Sequence, residues 1–135
     1  MKEVIKNNTA FKPLLRRGLG RLMVYGIPNC DTTKKTLNWF KENKIAFTFH
    51  DYKQEGISKA TLEAWCKKTG WESIFNKRST TWRELSEADQ KKVIDQFTAI
   101  KIMMAHNSII KRPVIEIDEK LIVGFNEDEI KRAIK

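Results

Sequence analysis

The fold is decided by residues 22–34, which read Leu22-Met-Val-Tyr-Gly-Ile-Pro-Asn-Cys-Asp-Thr-Thr-Lys34. A short β-type run over residues 23–27 ends at Pro28. Over residues 32–43 the side chains suited to a core recur every three or four residues, which is the spacing along one face of a helix. The pattern therefore predicts a strand, a tight turn and a helix, with Cys30 at or next to the start of the helix.

Cys30 is the candidate nucleophile. A cysteine reacts as the thiolate, and the unpaired backbone N–H groups at a helix start stabilise negative charge. The other interpretation is a small buried hydrophobe at a strand end, since free cysteines are often buried. The polar neighbours Asn29 and Asp31 are unusual in a core, and they favour the nucleophile.

Length and composition indicate one globular domain. The chain has 135 residues, 41% of them hydrophobic and 32% charged, which is enough for one core but not for two. No apolar run approaches the roughly 20 residues of a membrane helix. Two distant cysteines and two histidines offer neither a disulfide framework nor a metal site. We expect a monomer without a bound metal or cofactor, in a reducing cytoplasm.

The positive charge is concentrated at the N-terminus. Residues 1–21 contain six Lys and Arg against one Glu, which is more than half of the net charge of +9. The rest of the chain has no basic stripe interleaved with aromatic residues, so nucleic-acid binding is not expected. We interpret residues 1–21 as a flexible basic extension ahead of a domain over residues 22–135. A targeting peptide is the alternative, although the extension lacks a proper hydrophobic region.

The elements of the domain alternate in an α/β manner. Alternating Phe47 and Phe49 predict a second strand over residues 46–52, and a block of helices follows over about residues 57–107. Ser58 caps a helix in this block, and Ser86-Glu-Ala-Asp89 is a capping box for another. The apolar face predicted for that later part of the block comprises Val93, Ile94, Phe97, Ile100, Met103 and Met104.

The chain ends in a ββα unit. Pro113 stops the helical block, residues 114–117 and 121–123 form a hairpin, and Asn126 caps a last helix. A strand, a cysteine and a helix, followed much later by a proline and a ββα unit, are the layout of a thioredoxin-like fold. The helical block is then an insertion between its βαβ and ββα halves.

Four stretches carry a resemblance to a known family: Tyr25-Gly-Ile-Pro-Asn-Cys-Asp-Thr-Thr-Lys-Lys35, His50-Asp-Tyr52, Arg78-Ser-Thr-Thr-Trp-Arg83 and Ile109-Ile-Lys-Arg-Pro113. In this order they resemble the arsenate reductase ArsC family, and within it the Spx/MgsR/YffB branch, YffB-like proteins above all. The resemblance covers the chain from Leu22 onward. It implies a thioredoxin-like core, a catalytic thiolate at Cys30 and a cis peptide bond between Arg112 and Pro113.

The resemblance also assigns roles to two arginines. Arg78 matches the arginine of the helical insertion and Arg112 that of the Arg-Pro pair, and both imply anion binding. A guanidinium binds an oxyanion or carboxylate through two hydrogen bonds and lowers the pKa of a nearby thiol. Without the resemblance, the alternative interpretation is that both arginines are solvated charges on the surface. The side chains predicted to contact glutathione or substrate are Asn29, Thr32, Thr33, Lys34 and Pro113.

Several positions depart from the patterns of this family. Its arsenate reductases carry a His before the cysteine and a Ser-Arg pair after it, where this chain has Gly26 and Thr33-Lys34. They also carry a third arginine where this chain has Val-Gly-Phe at residues 123–125, so arsenate binding should be weaker. Spx-type regulators usually carry Cys-x-x-Cys at this turn, whereas no second cysteine closely follows Cys30.

A single thiol needs a second thiol to complete a redox cycle. The resemblance to YffB suggests glutathione as co-substrate, with glutaredoxin as a candidate partner. Cys66 is the internal alternative, but its place in an apolar helix favours a structural role. The leading prediction is a glutathione-dependent reductase of small-molecule or protein disulfides. Two alternatives stay open: an arsenate reductase coupled to glutathione and glutaredoxin, and an Spx-like regulator that binds RNA polymerase.

Overall fold

The computed structural model describes residues 21–134, and these residues form two compact units. The first unit comprises residues 21–51 and 112–134. The second unit is Tyr52–Lys111, which is inserted between the two parts of the first in sequence. The predicted flexible extension lies outside the described residues, except for Arg21.

A four-stranded sheet is the basis of the first unit. Its strands are β1 (Leu22–Gly26), β2 (Thr48–Asp51), β3 (Val114–Ile117) and β4 (Lys120–Val123), in the order β2-β1-β3-β4. Strand β1 runs parallel to β2 and antiparallel to β3, which in turn pairs antiparallel with β4. This is the thioredoxin-like arrangement, so the predicted fold is confirmed.

The helices are α1 (Asp31–Glu42), α2 (Tyr52–Glu55), α3 (Lys59–Thr69), α4 (Trp71–Ile74), α5 (Thr80–Glu84), α6 (Glu87–Lys91), α7 (Gln96–Ala105) and α8 (Glu127–Ile134), with a 3-10 turn at Asn107–Ile109. Helices α1 and α8 belong to the first unit, and the others to the second. Within residues 21–134, none of them combines the length and the apolar character that crossing a membrane requires.

The core of the first unit joins the sheet to α1 and α8. Alternate residues of each strand point to this core, because successive strand side chains face opposite sides of a sheet. Asn126 caps α8, accepting a hydrogen bond from the Glu129 N–H at 3.0 Å as the sequence predicts. The buried core residues are Leu22, Val24, Leu37, Phe40, Ile45, Phe47, Phe49, Ile115, Ile117, Ile122 and Ile130.

Arg21 corrects the predicted boundary of the extension. Its backbone N–H donates to Asp118 Oδ1 at 2.9 Å, and its carbonyl accepts from the Asp118 N–H at 2.9 Å. Its guanidinium lies 3.0 Å from Glu116 Oε1. Arg21 therefore continues the pairing of β1 with the β3–β4 hairpin and belongs to the folded unit.

The second unit is helical and longer than the insertion predicted at about residues 57–107. It begins at Tyr52, which is fully buried and whose hydroxyl donates to the Ile110 carbonyl at 3.0 Å. This hydrogen bond ties the first residue of the unit to its end. Ser58 caps α3 as predicted, accepting from the Thr61 N–H at 3.1 Å.

The predicted apolar face after Ser86 is wrong in its first half. Ser86 does cap a helix, but that helix, α6, ends at Lys91, and α7 starts after a new cap at Asp95. Between the two caps Ile94 is 73% exposed, and Phe97 in the first turn of α7 is 63% exposed. Of the other residues of the predicted face, Met104 is exposed, Val93 is half-buried, and Ile100 and Met103 are buried.

Candidate active site

Cys30 occupies the N-cap of α1, as the sequence predicts. A turn after β1 brings it there, in which the Cys30 N–H donates to the Ile27 carbonyl at 3.2 Å. The Cys30 carbonyl then accepts the first helical hydrogen bond, from the Lys34 N–H at 2.9 Å. The residue is half-buried, so its side chain stands where the orphan N–H groups of a helix point, with an open side towards solvent.

The pKa of the Cys30 thiol lies below its ordinary value. Burial of the sulfur raises the pKa, but hydrogen bonds to the ionised sulfur outweigh burial. The donors are the Thr33 N–H, the Thr33 hydroxyl, the Arg112 guanidinium and the Thr32 N–H. Each of these groups favours the thiolate over the neutral thiol, because a charged sulfur accepts a hydrogen bond more strongly. This environment activates Cys30 as a nucleophile.

Arg112 reaches the site through the pairing of β1 with β3. Tyr25 near the end of β1 faces Val114 at the start of β3, so the two residues before Val114 lie beside the turn that leads to Cys30. The bond between Arg112 and Pro113 is cis, as the resemblance implied. Arg112, in the loop before β3, therefore supplies a positive charge to the thiolate from a part of the chain distant in sequence.

Thr33 differs from its neighbours Thr32 and Lys34, which are exposed. Its side chain is fully buried, because α1 packs it against Gly26 at the end of β1. The predicted contact of Thr33 with glutathione stays a prediction, and its side chain lies in the interior beside Gly26. The sequence signal for this packing was the glycine at position 26, which leaves room for a neighbour.

The other predicted contact residues divide by exposure. Asn29, Thr32 and Lys34 are exposed around Cys30, whereas Pro113 is buried. The exposed side chains near Cys30 in sequence thus differ in chemistry: an amide, a hydroxyl and an ammonium group. Their predicted contact with glutathione stays a prediction.

Arg78 belongs to the second unit. It is exposed in the turn before α5, where its N–H donates to Asn76 Oδ1 at 3.0 Å. Ser79 then caps α5, accepting from the Trp82 N–H at 3.1 Å. The structure brings Arg112 to Cys30, and the part predicted for Arg78 in anion binding stays a prediction.

Cys66 differs from Cys30 in every respect that governs reactivity. It is 4% exposed in α3, and burial, together with the negative charge of Glu63, raises the pKa of its thiol. A buried thiol with a raised pKa is a poor nucleophile near neutrality. Among the described residues, no group of three or more His, Cys, Asp or Glu side chains is placed to hold a metal ion.

Sequence comparison finds one matching family and curated relatives. The model of the ArsC family matches residues 25–133. A relative from Staphylococcus epidermidis, the global transcriptional regulator Spx, is 30% identical over 110 residues, which are 79% of this chain and 82% of the relative.

Two solved structures are similar in both sequence and fold. A protein called YffB is 43% identical with a TM-score of 0.80, over 84% of this chain and 99% of the other. The solution structure of an arsenate reductase (ArsC) related protein from Brucella melitensis is 40% identical with a TM-score of 0.67, over 89% of this chain and 99% of the other.

Proposed function

This chain belongs to the ArsC family, and on that basis we propose that it is a glutathione-dependent thiol oxidoreductase with Cys30 as its nucleophile. The observation that carries the proposal is the position of Cys30 at the N-cap of α1, where Thr33, Arg112 and Thr32 lower the pKa of its thiol against the effect of burial. A structural cysteine has no use for such an arrangement, whereas a thiolate nucleophile depends on it.

The proposed reaction is a pair of thiol–disulfide exchanges at Cys30. First the Cys30 thiolate attacks the glutathione sulfur of a mixed disulfide substrate; the substrate S–S bond breaks, and the substrate leaves as its thiolate. Cys30 is now bonded to glutathione. A second glutathione thiolate attacks that bond, forms oxidised glutathione and releases the Cys30 thiolate. The substrate thiolate takes the proton that the second glutathione lost, and two electrons pass from glutathione to the substrate.

A thiol from outside the chain fits this site because the internal candidate is unsuitable. Cys66 is buried and its pKa is raised, so it is poorly suited to attack a disulfide on Cys30. Glutathione is the abundant small thiol of a reducing cytoplasm, where we place the protein. Glutaredoxin is the protein thiol that we propose as a further reductant.

The charges around Cys30 suit a peptide that carries carboxylates. Arg112 lies beside the sulfur, and Lys34 is exposed one turn into α1. An arginine binds a carboxylate through two parallel hydrogen bonds, and a lysine binds it as a point charge. We propose that these residues, with Arg78 from the second unit, bind the carboxylates of glutathione or of the substrate.

Two other functions have support from relatives. One relative is a transcriptional regulator, and a similar structure is related to arsenate reductase. A regulator that no longer uses its thiol has no need of an activated Cys30, so the lowered pKa favours an enzyme. The Gly26 and Lys34 positions, where the family's arsenate reductases carry His and Arg, favour disulfides over arsenate as the substrate.

The test of the proposal is the intact mass of the protein after incubation with oxidised glutathione near neutral pH. We expect one glutathionyl group on wild type and on Cys66→Ser, and none on Cys30→Ser. Added glutathione should then remove the group and restore the reactive thiol. An unmodified wild type, or a group attached at Cys66, would refute the proposed function.

The role of Arg78 is tested separately, by the rate at which glutathione removes that group. Arg83 is the matched control, because it is also an exposed arginine of the second unit, close to Arg78 in sequence. We expect Arg78→Ala to raise the glutathione concentration that gives half-maximal rate and Arg83→Ala to leave it unchanged. If the two variants required the same glutathione concentration for half-maximal rate, the proposed role of Arg78 in binding would be wrong.

A further inference from the structure

The Thr33 hydroxyl is a buried polar group that makes no hydrogen bond to another oxygen or nitrogen of residues 21–134. Its side chain is fully buried, and within residues 21–134 its Oγ1 is the buried side-chain oxygen or nitrogen that makes no hydrogen bond. Buried hydroxyls are normally paired, because leaving one unpaired loses the hydrogen bonds it had with water. An exception of this kind, next to a proposed active site, calls for an explanation.

Thr36 shows what a threonine on this helix ordinarily does. It is also fully buried, and its hydroxyl donates to the carbonyl of Thr32, four residues earlier, at 2.8 Å. This is the usual bond of a threonine within a helix. The carbonyl four residues before Thr33 belongs to Asn29, which precedes α1. Thr33 thus lies too near the helix start for the ordinary arrangement. It is the third residue of α1, the position whose side chain can reach back to the N-cap residue.

Gly26 allows the Thr33 side chain to occupy this place. A Cβ added at Gly26 would lie 2.7 Å from Thr33 Oγ1 and 2.9 Å from Thr33 Cγ2. Both distances are shorter than van der Waals contact, so any larger residue at position 26 would have to displace the threonine. Threonine is stiff about its first side-chain torsion, and it has little freedom to move aside.

We propose that the Thr33 hydroxyl is the hydrogen-bond donor that the fold holds for the ionised sulfur of Cys30, and that Gly26 is required to keep it there. A neutral thiol is a weak acceptor, whereas a thiolate is charged and forms a stronger, charge-assisted bond. The unpaired hydroxyl therefore gains its partner when Cys30 loses its proton.

The lowered pKa of Cys30 agrees with this assignment, since the Thr33 hydroxyl is among the groups that lower it. Arg112, from the loop before β3, is a charged group that acts on the sulfur. The charged residues of the first turn of α1, Asp31 and Lys34, are exposed. Arg112 is shared with the solvent-facing side of the site. Thr33 is not, because its side chain is fully buried.

The consequence for the reaction lies in the release of Cys30 from its mixed disulfide. This inference rests on the proposed function, because it concerns the thiolate that the second exchange step releases. A thiol of lower pKa is a better leaving group. Thr33 therefore favours attack of glutathione at its own sulfur in the mixed disulfide, with Cys30 departing as a stabilised thiolate.

The experiment measures the rate of Cys30 alkylation by iodoacetamide against pH, with the modified site identified by mass. The variants are Thr33→Val, which has nearly the same shape without the hydroxyl, Thr33→Ser, which keeps the hydroxyl, and Gly26→Ala. Thr36→Val is the matched control. It removes another buried hydroxyl of α1, one that donates to the backbone carbonyl of Thr32.

We expect Thr33→Val and Gly26→Ala to raise the Cys30 pKa by about one unit and to slow release of the glutathionyl group about threefold. Thr33→Ser and Thr36→Val should keep the wild-type pKa. Should Gly26→Ala fail to fold, the comparison of Val with Ser at position 33 decides the question.

The outcomes separate this inference from the proposed function. A lowered pKa in wild type that Thr33→Val leaves unchanged, or that Thr36→Val raises equally, would overturn the role of Thr33 and leave the proposed function standing. An ordinary thiol pKa in wild type would overturn both.

Discussion

At the scale of single residues, the ionisation of Cys30 links reactivity to stability. The hydrogen bonds from Thr33, Arg112 and Thr32 outweigh the effect of burial and place the pKa of the folded protein below that of the unfolded chain. The folded protein then binds fewer protons than the unfolded chain in the pH range between the two values. Stability must rise with pH across that range.

The corresponding prediction compares wild type with Cys30→Ser. The free energy of unfolding of wild type, relative to the variant, should increase as the pH rises from below the folded pKa to about 9, and the gain should be lost on acidification. Urea unfolding at several pH values measures this difference. Serine is itself a good N-cap, so the variant can differ from wild type by a constant free energy of unfolding at every pH. The decisive result is therefore the change of this free-energy difference with pH. A flat difference would contradict an ionised Cys30.

Arg112 is the second residue whose effect is open to measurement. Arg112→Ala removes a donor to the sulfur, so we expect alkylation of Cys30 at neutral pH to slow about three- to tenfold. The alkylation rate of Arg112→Lys should lie between those of wild type and Arg112→Ala, because lysine keeps the positive charge but lacks the planar guanidinium group. Arg132, exposed on α8 in the same unit, is the control. If Arg132→Ala slowed alkylation equally, a general loss of positive charge would be the cause.

At the scale of elements, sequence reasoning succeeded where the signal was local. The caps at Ser58 and Asn126 were predictable because a cap bonds to an N–H three residues away. It failed between Ser86 and Phe97 because two caps compete there. Thr98 accepts from the Ile94 N–H and Asp95 accepts from the Thr98 N–H, each at 3.0 Å, and together they start a new helix.

This break changes which side chains stabilise the second unit. Met103 is fully buried, whereas Phe97 of the same helix is 63% exposed. We expect Met103→Ala to lower the free energy of unfolding by about 2–5 kcal/mol and Phe97→Ala to change it by less than about 0.5 kcal/mol. Chemical denaturation measures both. Similar losses would restore the continuous apolar face that the sequence predicts.

The site shows the same division between local and distant signals. Cys30 at the helix start follows from a strand, a turn and a helix in one stretch of sequence. The pairing of Arg112 with Cys30 came only through the family resemblance, because it depends on the register of β1 and β3. Helical periodicity places Thr33 on the same face of α1 as Leu37 and Phe40, but its close packing against Gly26 depends on how α1 lies on β1, which periodicity does not indicate.

At the scale of the whole molecule, one fold serves relatives with different functions, so the fold alone does not select the substrate. Selection rests on the residues around Cys30. The family's arsenate reductases carry an arginine where this chain has Lys34, and a further one where it has residues 123–125. The chain thus lacks two arginines that would bind a compact, highly charged oxyanion.

We therefore predict that arsenate is a poor substrate. With glutathione and glutaredoxin present, arsenate reduction should be about ten- to a hundredfold slower than reduction of a glutathione mixed disulfide, the loss expected for a missing charged hydrogen-bond partner. Lys34→Arg should raise the arsenate rate, and Lys35→Arg, one residue further, should not. Equal rates on the two substrates in wild type would contradict this assignment.

The proposed reactivity of the protein depends most directly on the ionisation of Cys30. The measurement is the ultraviolet absorbance of the thiolate as the pH is raised, taken as the difference between wild type and Cys30→Ser. We expect a midpoint clearly below the ordinary cysteine value of about 8.5. A midpoint at or above that value would contradict it.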